Sequence, residues 1–125
     1  MIVYCGHGAG ERLIRREAVE GLERCGAVLL MGCSSGMLHL NGEFEPTGMA
    51  AAYMSAGCPA LVANLWDVTD KDIDRFTEKL LATFVQGPAP LLEALAMSRD
   101  VCKFRALTGL APVCYGAPVR SSLAP

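Results

Sequence analysis

Two runs of this 125-residue chain carry apolar side chains without alternation, Ala27 to Met31 and Pro59 to Trp66. A strand with one solvated face alternates apolar and polar residues, whereas an unbroken apolar run marks a strand covered on both faces. Helices on each side of a parallel sheet provide that cover, so the two runs predict an α/β layered domain with a mainly parallel sheet. The segments around them agree. Ile2-Val3-Tyr4-Cys5 is a shorter β-prone run, cut off by Gly6-His7-Gly8-Ala9-Gly10. Residues after Glu11 are helix-prone, with Ala18, Leu22 and Cys25 at helical spacing and Gly26 as the stop. Gly32-Cys33-Ser34-Ser35-Gly36 breaks the first long run, a polar loop covers Asn41 to Pro46, and Met49 to Met54 reads as a short buried helix.

The clearest helix starts near Asp70. Ile73, Phe76, Thr77, Leu80, Leu81 and Phe84 recur at helical spacing on one face, and Gly87-Pro88 closes it. A helix over 90–104 and a strand over 111–115 complete the expected elements. The first strand begins at the start of the chain with nothing before it to shield it, and an uncovered apolar strand is an aggregation edge. The expectation is that residues 1–125 are the C-terminal part of a longer domain whose earlier strands are missing.

Composition narrows the function. Hydrophobic residues make up 52% and charged residues 19%, which excludes a disordered chain. No apolar run approaches a membrane span, and no secretory leader opens the chain, so no membrane partner is expected. Eleven basic against 13 acidic residues give a net charge of −2, which disfavours an electrostatic nucleic-acid binder. The six cysteines are dispersed, none forms Cys-x-x-Cys, and most lie in apolar stretches. Buried free thiols of an intracellular protein fit that pattern better than disulfides.

Ligand sites in parallel α/β sheets form outside the carboxyl ends of the strands. Two predicted strands end there in reactive residues, one in Gly6-His7-Gly8 and the other in Gly32-Cys33-Ser34-Ser35-Gly36. If the strands are neighbours, about 4.8 Å apart, His7 and Cys33 share one rim. An imidazole beside a thiol generates the thiolate nucleophile, and glycines leave N–H groups free to hold an oxyanion. The bland alternative is an ordinary thiol and a satisfied loop histidine. Zinc on Cys5, His7 and Cys33 is a third reading, but their spacing matches no standard ligand pair, and no metal or cofactor is expected.

Tyr4-Cys5-Gly6-His7-Gly8-Ala9-Gly10, Met31-Gly32-Cys33-Ser34-Ser35-Gly36 and the stretch Leu65-Trp66-Asp67-Val68-Thr69-Asp70-Lys71-Asp72-Ile73-Asp74-Arg75-Phe76 together resemble the C-terminal protease domain of separase. The order and spacing of the three motifs are those of the family, and the acidic third motif is not demanded by the fold. The resemblance implies a caspase-like fold and a cysteine endopeptidase that cuts the kleisin subunit of cohesin after arginine to release sister chromatids. It implies His7 and Cys33 as catalytic dyad and the N–H groups of Gly8 and Cys33 as oxyanion hole. It also implies a securin-type inhibitor in the cleft, and residence in cytoplasm and nucleus.

An arginine pocket needs a desolvated carboxylate to accept the guanidinium fork. The resemblance places that role after Trp66. Helical geometry puts Asp74 beside Leu81, at the half-buried margin of the apolar face, so Asp74 is the first candidate and Asp67 the second, with Trp66 as a wall. Asp70 and Asp72 read as carboxylates placed to suit the helix dipole, with Asp72 on the opposite margin and of little consequence. Competing readings are another caspase-like protease of the CHAT type, and a non-catalytic pseudo-protease module that binds partners through its cleft.

Overall fold

The computed structural model describes residues 1–123. In chain order it contains β1 (Ile2–Tyr4), α1 (Arg16–Glu20), β2 (Val28–Leu30), β3 (His39–Asn41), β4 (Phe44–Thr47), α2 (Met49–Ser55), β5 (Ala60–Asn64), α3 (Asp70–Leu81), α4 (Leu91–Ser98) and β6 (Pro112–Gly116). Four strands form one sheet in the order β1-β2-β5-β6. β1, β2 and β5 run parallel, with Tyr4 opposite Leu30 and Leu30 opposite Ala63, and β6 returns antiparallel along β5. Pro112 opens this last strand at the sheet edge, where its missing N–H costs no ladder bond.

The side chains of β2 and β5 are divided between two cores, as expected of strands covered on both faces. Val28, Leu30, Leu61 and Ala63 pack under α1 and α2 with Val19, Met49 and Tyr53. Leu29, Met31, Ala60 and Val62 pack on the other side with Ile73, Phe76 and Leu80 of α3 and Leu91 and Leu95 of α4. The result is an α/β three-layer sandwich with a mainly parallel sheet and one antiparallel edge.

Three elements differ from the sequence expectation. The helix after Glu11 shrinks to Arg16–Glu20, because Val19 alone buries a side chain there and Gly21 ends it, leaving Leu13 and Leu22 exposed. The polar loop around Asn41–Pro46 is an antiparallel hairpin, β3 with β4, turning through Gly42-Glu43 and leaving Leu40 and Phe44 exposed. The helix expected over 90–104 ends at Ser98 and tightens through Arg99–Val101. Beyond it, the N–H groups of Lys103 and Phe104 donate to the Asp72 carboxylate at 3.0 and 2.8 Å, which draws the chain out of the helix. The cysteines are all free, but only Cys58 and Cys102 are buried, fewer than expected. Among the described residues no helix is long and apolar enough to cross a membrane.

Candidate active site

β1 and β2 are adjacent and parallel, so the loops leaving their carboxyl ends meet over the sheet. Their contact is backbone against backbone. A Cβ at Gly32 would stand 2.0 Å from the Gly8 carbonyl oxygen and 2.3 Å from that of Gly6, so only glycine lets the two loops approach this closely. Tyr4 anchors the first loop by donating its hydroxyl to the His7 carbonyl at 2.9 Å. Gly8 turns at φ +63°, and the Ala9 N–H beyond it donates to the Glu11 carboxylate at 3.1 Å.

The Cys33 loop is braced from β5. Asn64, fully buried, donates from Nδ2 to the Gly32 carbonyl at 3.0 Å and from its N–H to Ser35 Oγ at 2.9 Å, while the Ser35 hydroxyl donates to the Leu30 carbonyl. The Gly36 and Ser34 N–H groups donate to the carbonyls of Asn64 and Trp66 at 2.8 and 3.2 Å. These bonds hold Ser34 at φ +49°, a left-handed conformation that costs a residue with a side chain about 1–2 kcal/mol. An outlier so well supported, directly after the candidate nucleophile, fixes how the Cys33 side chain leaves the loop.

Cys33 Sγ donates to the Val68 carbonyl at 3.2 Å and accepts from the Val68 N–H at 3.4 Å. Among the described residues no hydrogen bond joins it to the exposed His7 imidazole. The N–H groups of Gly8 and Cys33 have no backbone acceptor among the described residues, which leaves both available to an oxyanion.

A cavity of about 300 Å³ opens over these loops, lined by Cys5, His7, Cys33, Val68, Asp70 and Asp74 among others. No Lys or Arg lines it, so its two carboxylates give it the field of a cation site. Partial desolvation and the nearby Asp74 carboxylate raise the pKa of the exposed Cys5 thiol above its ordinary value.

The acidic stretch is arranged differently from the helical-wheel expectation. Asp74 stands in the cavity but is exposed, not half buried, and Asp72 is the buried one at 3% exposure. The Phe104 and Lys103 N–H groups, with the Arg75 guanidinium 3.8 Å away, hold the Asp72 carboxyl below its ordinary value. Asp67 lies outside this cavity and accepts from Ser34 Oγ at 2.6 Å. Trp66 lies there too, donating its indole N–H to the Leu107 carbonyl. Both line a second cavity beyond Val68.

Sequence reasoning passed over Asn64, Ser35 and Val68. Asn64 carries a signal, a polar residue inside an otherwise apolar strand, and Ser35 stands in the loop already singled out. Val68 carries none, because its part is played by backbone atoms.

Residues 1–73 match the family model described as Separin, protease domain. The separin of Schizosaccharomyces pombe is 49% identical over 124 residues, covering 93% of this chain and 7% of that protein. Mouse separin is 45% identical over 121 residues, covering 95% and 6%. The structure of the Saccharomyces cerevisiae separase–securin complex matches with a TM-score of 0.87 at 40% identity, over 96% of this chain and 8% of that one. The chain therefore spans less than a tenth of the length of the relatives it matches. By its family match over more than half its length, and by relatives of this identity, the chain belongs to the separin protease-domain family.

Proposed function

We propose that the chain is the C-terminal, catalytic part of a separase-type cysteine endopeptidase that cuts after arginine, with His7 and Cys33 as its dyad. One observation carries the reading. In a separin-family chain, the His7 and Cys33 loops touch at the ends of adjacent parallel strands and open into one cavity with two carboxylates. The substrate is the kleisin subunit of cohesin, and its cleavage releases sister chromatids. A securin-type inhibitor occupies the same cleft as a pseudosubstrate, a partner suggested by the complex in which the related yeast separase was solved. The protein works in cytoplasm and nucleus.

The chemistry follows from the two loops. Substrate binding draws Cys33 Sγ from Val68 toward the imidazole, and such catalytic hydrogen bonds commonly tighten only in the Michaelis complex. His7 takes the thiol proton as sulfur attacks the arginine's own carbonyl carbon. The Gly8 and Cys33 N–H groups hold the resulting oxyanion. Collapse breaks the C–N bond, His7 gives its proton to the leaving amine, and an acyl-enzyme remains on Cys33. His7 then deprotonates a water that hydrolyses the thioester. Tyr4 fixes the backbone of the histidine loop, and no orienting carboxylate is assigned.

Asp74 receives the guanidinium, with Asp70 as a second negative wall. The test is a peptide series with Arg, Lys, Gln or Ala at one position, products being identified by mass. The proposal expects cleavage after Arg, much slower cleavage after Lys, and competition by a securin-type peptide. Equal cleavage of all four, or none, contradicts it.

A further inference from the structure

We propose that the apolar cavity beside the catalytic one is a substrate subsite for one large aliphatic or aromatic side chain of the same peptide, within three residues of its arginine. The inference rests on the arginine-directed reading above and extends it. This cavity, about 430 Å³, is walled by Trp66, Phe104 and Leu107 over the Asp67–Thr69 backbone. It meets the catalytic cavity at Val68, which lines both.

Two of its polar groups are engaged within the protein. The Trp66 indole N–H donates to the Leu107 carbonyl, and Asp67 Oδ1 accepts from Ser34. Around them the largest walls are apolar and left to water, with Trp66 39%, Phe104 45% and Leu107 66% exposed. Single exposed apolar residues are ordinary, but a walled group of three beside a candidate catalytic centre marks a place where something binds.

The occupant follows from the shared wall. The 67–69 segment forms a ridge, with the acidic cavity on one flank and the apolar one on the other. Successive side chains of an extended peptide point to opposite sides of its backbone. A peptide lying along the ridge therefore delivers a side chain to each flank, a guanidinium to the carboxylates and an apolar group to Trp66, Phe104 and Leu107. The Phe104 wall is also built in advance, because the Asp72 carboxylate fixes the N–H groups of Lys103 and Phe104. Burial there is not offset by ordering a loop.

The test measures kcat/KM of the full chain on arginine peptides that carry Ser at the three positions on each side. Leu or Phe then replaces one Ser at a time. At one position the apolar residue should raise kcat/KM about 10- to 100-fold, the range expected for burying one such side chain. Phe104→Ala and Leu107→Asp, both at exposed side chains, should each shrink that ratio to about threefold or less while leaving the all-Ser arginine peptide unchanged. A preference that survives both variants overturns the subsite, and so does the absence of preference at every position. If Leu107→Asp changes the mass by light scattering and leaves the ratio intact, the surface belongs to a second copy of the chain, and the subsite is again overturned. Cleavage of the all-Ser peptide without discrimination fails the subsite alone. No cleavage of any arginine peptide fails the arginine-directed reading and the subsite with it.

Discussion

Gly32 and Gly8 are in backbone contact, so close that a Cβ on Gly32 would stand 2.0 Å from the Gly8 carbonyl oxygen. This contact brings the His7 loop against the Cys33 loop. The proposed dyad and both oxyanion donors depend on it, since Gly8 directly follows His7 on one side of the contact and Cys33 directly follows Gly32 on the other.

Gly32→Ala should therefore force the loops apart. A misplacement of about 1 Å at a catalytic centre can cost roughly 10²-fold, so kcat on an arginine peptide should fall by that order. Thermal unfolding measured alongside shows whether the domain persists. A folded variant with more than about a third of wild-type kcat removes the contact from the mechanism.

Cys33→Ser and His7→Ala should each lower turnover on the order of 10⁴-fold, and the double variant should lose little more, because the two act as a unit. Fully multiplicative losses would show that they act independently.

Asp74→Asn should lower kcat/KM for arginine peptides by about 10²- to 10³-fold, as expected when a charge buried by substrate loses its partner at a cost of about 2–5 kcal/mol. Alkylation of Cys33 by a small reagent should barely change. Asp67→Asn should act otherwise, lowering kcat alike for every substrate, because Asp67 bonds Ser34 and not the catalytic cavity. If Asp67→Asn shows the arginine-selective loss and Asp74→Asn does not, the cation site is at the strand end.

Asp72→Asn should destabilise the domain, since one oxygen that accepts a backbone N–H becomes a donor facing a donor. The folded carboxyl titrates below its ordinary value of 3.8, so the unfolded chain takes up this proton first as pH falls. The contribution of Asp72 is then complete above that ordinary value and is lost as pH falls through the folded one. Melting temperatures of wild type and variant between pH 2 and 6 should differ most at the high end and converge at the low end. A constant difference would remove Asp72 from the acid transition.

Ala27–Met31 and Pro59–Trp66 were legible as central strands because burial on both faces marks composition directly. The His7 and Cys33 loops were legible because glycines bracket a reactive residue at each strand end. The β3–β4 hairpin was not, since both its strands are exposed and only Gly42 signals the turn. The α4 boundary was misread because its cause lies 31 residues away, in the Asp72 carboxylate that takes the Lys103 N–H. The same bond explains the exchange between Asp72 and Asp74. A helical wheel locates the margins of an apolar face, but it cannot tell which margin another segment covers.

Six free thiols make one labelling experiment decisive. Desolvation raises the thiol pKa of buried Cys102, of half-buried Cys114 and, up to about 11, of buried Cys58, and partial desolvation with Asp74 raises that of Cys5 at the rim of the proposed cavity. Of the six thiols only Cys5 and Cys33 line the cavity that would take the arginine, so an arginine acyloxymethyl ketone should form one adduct, mapped by mass spectrometry to Cys33. The adduct should be lost in His7→Ala and sharply reduced in Asp74→Asn. An adduct on Cys5, or one on Cys33 that forms equally fast without His7, would contradict the dyad.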